Sequence, residues 1–496
     1  MSSIASPRRP LTSVGWLMAF LIPLAALAVH QWDWGPPTNA GDYAQYLLHA
    51  KAIVEGRPYA DTGYIFHPDA WIIGPRAYPP GFPLTLAPLV ALVGVHSHLF
   101  RLLMLANVVA LAYLAARRLA MTVEPWQAAI GAGFAAFAVG TKWGALELIS
   151  DPGFAALMWG TILAVDTTKE WTWRRILLVT VLGGMSIAYR LAGVAVIGAF
   201  AMYALLTWRS HRGRAAIPVV IWGVGGALAA LTVFHSADLV TVLAGWRGVM
   251  INLTATPRKY LPSIVVAMLR PTEALAVNRV YYLCAGTATL VGAVTIVRRS
   301  YRSFLALVCL VYVLMLVVSP VSEGRYLWPL YPLIACALAV GLTDVVEWLR
   351  VYVPALSARP IVVVMLGVVA TAALYTDINR PRPETFIGAP NAEALFAWLR
   401  HTSRVTPLRV VFYNPRVVAL ETGVPAMGIL NRTPREHLVA FADQRITHVI
   451  CESGEKSSGQ QPVTNSLPGL FPDRFSLAYE NPEFRVYRVL PDQTLH

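Results

Sequence analysis

Two aspartates stand where a carboxylate could do chemistry. Asp42 lies in Gly41-Asp42-Tyr43 and Asp151 lies in Ser150-Asp151-Pro152, each at the predicted start of a helix. A carboxylate in such a place could act as a general base that takes a proton from an attacking hydroxyl or amine. The alternative for both is helix capping, for which Asp is well suited, especially before Pro. Glu147 is a weaker substitute for Asp151.

A second group of candidates consists of basic residues and one tyrosine that are predicted on the same side of a membrane as the two aspartates. Arg and Lys form short charge-assisted hydrogen bonds with phosphate oxygens, so the group predicts a phosphate-binding site. The alternative is that each side chain extends to the membrane interface, with Arg325 paired to Glu323. The candidates are Arg190, Arg258, Lys259, Arg270, Arg325 and Tyr326.

Metal and disulfide chemistry have less support. His67 and Asp69, in Phe66-His67-Pro68-Asp69, are weak candidates for metal ligands together with Glu147, and an exposed His beside a loop cap is the alternative. The four cysteines include no CxxC pair, so neither a disulfide framework nor a zinc site is indicated.

These residues lie in a chain that cannot be mainly exposed to water. Of its 496 residues, 56% are hydrophobic and only 14% are charged, whereas soluble proteins carry roughly 25% charged residues. A net charge of +13 would suggest nucleic acid in a soluble protein. Here the basic residues form short clusters between apolar runs, which is the positive-inside pattern of membrane proteins. Nucleic-acid binding is therefore not expected.

About eleven helices are predicted to cross the membrane, since roughly 20 apolar residues span the hydrocarbon core. The first apolar run, Leu11 to His30, follows Arg8-Arg9 and lacks a cleavage site, so it is predicted to be a retained helix. The basic clusters place the N-terminus in the cytoplasm and the C-terminal domain outside. The spans are predicted near residues 12–30, 98–118, 126–142, 152–166, 174–189, 191–208, 215–234, 278–297, 303–319, 326–346 and 360–377.

Two long segments, 31–97 and 235–277, are predicted to be outer loops. Within the first, Gly41 to Gly56 carries apolar side chains at helical spacing, while Asp42, Gln45, His49 and Glu55 are polar, which predicts an amphipathic helix on the membrane surface. The apolar run Phe82 to Val95 is only about 14 residues long, which is typical of an interfacial helix.

The chain is expected to divide into a transmembrane domain over residues 1–380, with its two outer loops, and a soluble α/β domain over 381–496. In the latter region, helix and strand patterns alternate. Helices are predicted at Ala392–His401 and Pro434–Asp443, with strands at Arg409–Tyr413 and Ile446–Cys451 and a hairpin around Asn481-Pro482. The region contains neither GxGxxG nor a phosphate loop, so no nucleotide is assigned to it.

Several segments, in their order along the chain, resemble the GT-C glycosyltransferases. The run from Gly41-Asp42-Tyr43 to Arg57-Pro58-Tyr59 and the run Tyr78-Pro79-Pro80-Gly81-Phe82 are similar to the first outer loop of this superfamily. The likeness is to the bacterial branch related to protein O-mannosyltransferases and the lipid A aminoarabinose transferase. Ser150-Asp151-Pro152, Ala188-Tyr189-Arg190 and Arg325-Tyr326-Leu327-Trp328-Pro329 extend it, so that it covers nearly the whole chain.

The resemblance implies an inverting hexosyl- or pentosyltransferase in a bacterial inner membrane. Its donor would be a sugar linked to polyprenyl phosphate, and its acceptor a glycan, a lipid or a protein at the outer face. Asp42 matches the usual catalytic base and Asp151 the second acid, while Arg325 and Arg190 would offset charge on the departing phosphate. Because Tyr43 follows Asp42, there is no acidic pair at that point, and dependence on a divalent metal ion is left open.

Two other classes of protein compete with this interpretation. A transporter or lipid flippase would favour charged residues near the membrane midplane and repeat-related broken helices. The sequence shows no convincing internal repeat, and its candidate acids lie at helix ends. A non-catalytic member of the same fold is the other alternative, since a fold does not determine an activity.

Overall fold

The computed structural model describes residues 11–32, 41–70, 72–96, 98–142, 147–208, 213–232, 275–318, 323–379, 387–453 and 462–491. The chain divides into two compact units. The first consists of Met1–Asp33 with His98–Pro381, and the second of Trp34–Ser97 with Arg382–His496. The predicted division placed the segment 31–97 with the transmembrane domain as an outer loop, whereas nearly all of this segment groups with the C-terminal residues.

The described part of the first unit is helical, with helices at each predicted span. The helices are α1 (Leu11–His30), α4 (Phe100–Leu119), α5 (Pro125–Lys142), α6 (Asp151–Asp166), α7 (Trp173–Tyr189), α8 (Val194–Leu206), α9 (Ala216–Thr232), α10 (Leu275–Ser300), α11 (Phe304–Val318), α12 (Tyr331–Leu349) and α13 (Ala358–Ile378). Short 3-10 helices at Leu191–Gly193 and Gly324–Leu330 precede α8 and α12.

Four described helices are long and apolar enough to cross a membrane. They are Phe100–Leu119, Asn278–Ser300, Gly324–Leu349 and Ala358–Ile378, and further apolar helices of 10–17 residues include Val14–His30, Pro125–Val139, Leu191–Leu206, Ala216–Gly225 and Phe304–Val317. The predicted number of eleven crossings therefore stays a prediction.

Small residues allow a close contact between two helices of this unit. A Cβ on Gly292 of α10 would lie 1.9 Å from the carbonyl oxygen of Ala337, and a Cβ on Gly341 of α12 would lie 1.7 Å from that of Ala288. Only glycine fits at these two positions. Such crossings are common between helices in lipid, where close van der Waals packing replaces the hydrophobic driving force.

A buried ion pair joins three helices at the end of the unit where several basic residues lie. Arg118 Nε donates to Asp166 Oδ2 at 2.5 Å. The carboxylate of Asp166 also accepts from the backbone N–H groups of Phe304 and Leu305, at 2.8 and 3.3 Å. These N–H groups lack intrahelical partners because they open α11, so Asp166 satisfies both the cation and the helix terminus.

The second unit is built on one six-stranded sheet in the order β1-β3-β2-β4-β6-β5. The strands are β1 (Tyr64–Ile65), β2 (Val410–Val411), β3 (Ala426–Met427), β4 (His448–Glu452), β5 (Phe475–Glu480) and β6 (Phe484–Val489). β1, β3, β2 and β4 run parallel, and β6 and β5 are antiparallel. The segment 34–97 thus supplies an edge strand to a sheet made otherwise by the C-terminal residues.

The described residues of this unit also form six α-helices. They are α2 (Gly41–Val54), α3 (Gly81–Val93), α14 (Pro390–Val405), α15 (Pro415–Thr422), α16 (Pro434–Asp443) and α17 (Pro462–Leu470). The two helices and the strand positions predicted in the C-terminal region are confirmed, including the hairpin of β5 and β6. The short apolar segment after Phe82 forms the 13-residue α3.

The predicted exposure of the polar side chains of α2 is wrong for Gln45 and His49. Gln45 and His49, which were assigned to a polar face, are fully buried together with Tyr46 and Leu47. The reason is that α2 packs against both α3 and α15, so protein covers both of its faces. Gln45 Nε2 donates to His49 Nε2 at 3.0 Å, which satisfies part of the buried polar surface locally.

Candidate functional site

The first unit brings Asp151 and Arg190 together. Arg190 Nη1 donates to Asp151 Oδ2 at 2.6 Å and lies 3.3 Å from Ser150 Oγ. A tight turn produces this pairing, because a Cβ on Gly193 would lie 2.5 Å from the backbone N of Ile187. Without a side chain at Gly193, the chain can fold back on the end of α7, and Arg190 then faces the first turn of α6.

Burial decides what Asp151 can do. Its side chain is 2% exposed and that of Arg190 is 16% exposed. α6 begins at Asp151 itself, so the residue before the helix is Ser150, and the carboxylate of Asp151 is bonded to a guanidinium. A carboxylate so enclosed is poorly placed to meet an incoming acceptor. It is well placed to fix the orientation of Arg190.

Tyr326 joins Arg190 to a second cation. The guanidinium carbon of Arg190 lies 5.0 Å from the centre of the Tyr326 ring, and that of Arg325 lies 6.0 Å from it. The 3-10 helix that carries Tyr326 is held by the Tyr312 hydroxyl, which donates to the Tyr326 carbonyl at 2.8 Å. Four of the sequence-predicted residues, Asp151, Arg190, Arg325 and Tyr326, therefore form one cluster.

The alternative pairing of Arg325 is also present. Arg325 Nε lies 2.5 Å from Glu323 Oε2, but the Glu323 side chain is 47% exposed. An ion pair exposed to solvent on one side contributes only about 0–1 kcal/mol. An anion of higher charge could therefore displace Glu323 at small cost, whereas the buried pair of Asp151 and Arg190 would persist.

The second unit holds Asp42 in a different environment. The hydroxyl of Tyr78 donates to Asp42 Oδ1. Arg416 Nη1 lies 3.3 Å from the same oxygen and donates to the Tyr78 hydroxyl at 2.7 Å. The Asp42 side chain is 26% exposed, so it is oriented by two partners and still reachable from outside.

Arg416 is a site residue that sequence reasoning missed. It is the second residue of α15 and is 2% exposed. Its Nη2 donates to the carbonyl of Ile73 at 2.6 Å, and its guanidinium lies over the rings of Tyr64 and Tyr78, at 5.3 and 5.0 Å. The available signal was a single cation at the start of a short helix that otherwise begins with apolar residues.

An aromatic layer supports this arrangement from the side of α2. His49 stacks on Tyr59 with ring centres 4.1 Å apart, and its Nδ1 donates to the Tyr59 carbonyl at 2.8 Å. The Tyr59 hydroxyl donates to the carbonyl of Tyr78 at 2.9 Å. Burial lowers the pKa of His49 to about 4. Burial also raises the pKa of the Tyr78 phenol well above its usual range, so that this hydroxyl stays a hydrogen-bond donor.

The weak metal-ligand candidates do not form a metal centre among the described residues. Asp69 Oδ1 accepts from Arg432 Nη2 at 2.9 Å, and this hydrogen bond lowers the pKa of Asp69. His67 Nδ1 lies 3.6 Å from the other carboxylate oxygen. In the part of the chain that the structure describes, no three His, Cys, Asp or Glu side chains are grouped so that they could hold a metal ion.

The remaining candidates contribute less to the geometry. Glu147 is half-buried, and its carbonyl accepts from the backbone N–H of Ile149 at 2.9 Å. Arg258, Lys259 and Arg270 lie outside the described residues, so their predicted part in phosphate binding stays a prediction.

Comparison with solved structures identifies the fold of the chain. No protein-family model matches the chain, and no curated protein matches it in sequence. A crystal structure of ArnT from Cupriavidus metallidurans bound to undecaprenyl phosphate is similar to it, with a TM-score of 0.60 and 14% identity over 96% of this chain and 98% of that one. The chain has the GT-C fold.

Archaeal structures extend the likeness. The Archaeoglobus fulgidus oligosaccharyltransferase in complex with zinc and sulfate has a TM-score of 0.55 and 12% identity, over 94% of this chain and 72% of that one. AglB from the same organism, in complex with an inhibitory peptide and a dolichol-phosphate, has a TM-score of 0.52 and 12% identity, over 88% and 69%. The expected likeness to GT-C proteins is thus confirmed, and with its apolar helices the chain is an integral membrane protein.

The buried His49 predicts a loss of stability in acid. Its folded pKa of about 4 lies below the ordinary value of 6.5, so between these values the unfolded chain binds a proton that the folded chain does not. Stability should fall as the pH drops from 6.5 to 4, by at most about 3 kcal/mol for this group. We expect His49→Asn to flatten the dependence of the unfolding midpoint on pH in this range.

Exposed His401 provides the control. Its change to Asn should leave the pH dependence as in the unmodified protein. His448 also has its pKa lowered to about 4 by burial, so the slope should become smaller still when both histidines are replaced. An unchanged slope in the His49 variant would contradict the assignment.

Proposed function

We propose that the protein is an inverting glycosyltransferase that moves a sugar from a polyprenyl-phosphate donor to an acceptor at the outer face of the membrane. The observation that carries the proposal is the cluster of Arg190 and Arg325 on the Tyr326 ring, within a unit of apolar helices. Charged side chains are rare in a unit of apolar helices, and those that occur there mark a candidate functional site. The donors of a guanidinium form a planar fork that matches the geometry of phosphate oxygens.

The two cations have different parts in this proposal. Arg190, fixed by buried Asp151, is a preorganised donor for a phosphate oxygen. Arg325 exchanges its exposed partner Glu323 for the phosphate when the donor binds. Groups held in place before the reaction stabilise charge that develops on the leaving phosphate without a reorganisation cost. We therefore assign Asp151 a positioning role in place of the catalytic role that its sequence predicted.

Asp42 is our candidate for the general base, because it is the more exposed of the two acids and is oriented by Tyr78 and Arg416. The acceptor oxygen or nitrogen attacks the anomeric carbon while the bond from this carbon to the phosphate oxygen breaks. Its proton passes to Asp42, and polyprenyl phosphate leaves as an anion that needs no general acid. One carboxylate is sufficient for such a displacement.

The fold likeness agrees with this donor class. The ArnT crystal structure contains undecaprenyl phosphate and the AglB structure contains a dolichol-phosphate, and both ligands are polyprenyl phosphates. The described residues offer no cluster suited to a metal ion, so we derive no step through one. A pentose or hexose as the sugar, and a glycan, lipid or protein as the acceptor, remain consistent with the proposal.

The catalytic base is tested by Asp42→Asn. We expect turnover to fall at least about 100-fold, since a positioned base contributes roughly that much or more. The lipid-linked sugar should then accumulate in cells, measured by mass spectrometry of extracted lipids, while binding of undecaprenyl phosphate to the purified protein is unchanged. The control is Asp443→Asn, at an exposed carboxylate of the same unit. A transporter would lose little function on this change, and normal turnover would rule out the proposed chemistry.

The phosphate site is tested by Arg190→Gln combined with Asp151→Asn, because the single change would strand a buried carboxylate. Loss of one charge-assisted contact should weaken undecaprenyl phosphate binding about 10-fold or more. The matched control is Arg117→Gln, at an exposed arginine whose guanidinium lies 6.0 Å from the Tyr113 ring. Equal affinity in the double variant and the unmodified protein would contradict the proposal that this cluster binds phosphate.

The proposed orientation is tested by cysteine labelling in a variant without native cysteines. Exposed Glu55, just after α2, should react as Glu55→Cys with a membrane-impermeant maleimide added to intact cells or spheroplasts. Arg299→Cys, at the end of α10, should react only after permeabilisation. The reverse pattern would place Asp42 on the cytoplasmic side, and the outer-face reaction would have to be abandoned.

A further inference from the structure

The guanidinium of Arg416 is buried among residues of a distant part of the chain. Asp42 and Arg416 are 374 residues apart in sequence. Every described partner of the guanidinium belongs to the segment 34–97: the Asp42 carboxylate, the Tyr78 hydroxyl, the Ile73 carbonyl and the rings of Tyr64 and Tyr78. The C-terminal residues thus insert a cation into the first loop.

Burying this guanidinium costs free energy of desolvation, and a functional role would explain why a charged residue occupies the position. Removing a guanidinium from water costs several kcal/mol, and packing alone would be served as well by an apolar side chain of similar volume. α15 is already anchored by apolar residues, since Val417, Val418 and Leu420 are buried. The attachment of the helix to the rest of the unit therefore does not require a charge at position 416.

The contacts converge on one carboxylate oxygen. Arg416 Nη1 and the Tyr78 hydroxyl both contact Asp42 Oδ1, and Arg416 also donates to the Tyr78 hydroxyl at 2.7 Å. The three groups form a closed triangle in which moving any one disturbs the other two. Rings on the guanidinium and the Ile73 carbonyl at 2.6 Å fix Arg416 itself. Such a network restricts the carboxylate to one orientation.

We propose that Arg416 is a positioning residue for the general base Asp42, and that Tyr78 connects them, so that the C-terminal segment completes the acid site of the first loop. This inference rests on the proposed function. Arg416 touches neither donor nor acceptor in this scheme. It acts by holding the carboxylate where it can take the acceptor proton, and a displacement of about 1 Å in such a group can cost 100-fold in rate.

The experiment compares initial rates for Arg416→Gln, Arg416→Lys and Tyr78→Phe. The donor is the lipid-linked sugar extracted from cells that carry Asp42→Asn. We expect Arg416→Gln to lower kcat by about 10- to 100-fold with the KM for donor within about 2-fold, because chemistry and not binding is affected. Arg416→Lys should recover part of kcat. Tyr78→Phe should lower kcat by several-fold, and its effect should nearly vanish in the Arg416→Gln background.

The matched control is Arg432→Gln. Arg432 also joins the C-terminal residues to the first loop, through Asp69 at 2.9 Å, but it does not contact Asp42. Its replacement should leave kcat unchanged. Rates are expressed per molecule with a folded second unit, counted as the fraction of that unit that resists limited proteolysis, so that loss of stability alone leaves kcat constant.

The outcomes separate the two proposals. If Asp42→Asn retains normal turnover, the proposed function fails. If Asp42→Asn is inactive but Arg416→Gln keeps normal kcat per folded molecule, Arg416 is structural and the inference is overturned. Should Arg416→Gln fail to fold, the nearly isosteric Tyr78→Phe decides the question, and an unchanged kcat in that variant would reject the positioning network.

Discussion

Buried charge is the constraint on which the rest of this structure depends. A guanidinium withdrawn from water costs several kcal/mol unless a carboxylate and other hydrogen-bond acceptors surround it, and an aromatic ring can add to their effect. The protein meets this requirement at Arg190 in the first unit and at Arg416 in the second. Arg118 and Asp166 meet it for a structural purpose, by joining α4, α6 and the start of α11. Charges are few in this chain, and these buried pairs link separate elements.

The two aspartates illustrate how exposure separates roles that residue type cannot. Both start helices and both bond to an arginine, yet Asp151 is 2% exposed and Asp42 is 26% exposed. The enclosed carboxylate can orient its arginine, while the accessible one can be reached by an incoming group, as our proposal for Asp42 requires. In each pair the arginine and the carboxylate orient each other. In the first pair the buried Asp151 holds the more accessible Arg190, and in the second pair the buried Arg416 holds the more accessible Asp42.

Glycine and tyrosine provide the geometry that these pairs need. Gly193 permits the turn that directs Arg190 toward α6. Tyr326 and Tyr78 each present a ring to a guanidinium, and Tyr78 adds a hydroxyl that donates to Asp42. Aromatic rings suit this task because they stabilise a cation electrostatically while they fill apolar space. Both candidate sites therefore share one design of arginine, aspartate and tyrosine.

The sequence by itself determined what depends on neighbouring residues. Apolar length placed helices at the predicted spans, alternation placed the C-terminal strands, and motif order indicated the GT-C fold together with Asp42, Asp151, Arg190 and Tyr326. Tertiary structure alone decided that residues 34–97 supply an edge strand to the C-terminal sheet, that α2 is buried on both faces, and that Arg416 meets Asp42. The periodicity of a sequence predicts which face of a single helix or strand is apolar. It cannot predict a contact between residues 374 positions apart, because that contact depends on how distant elements pack.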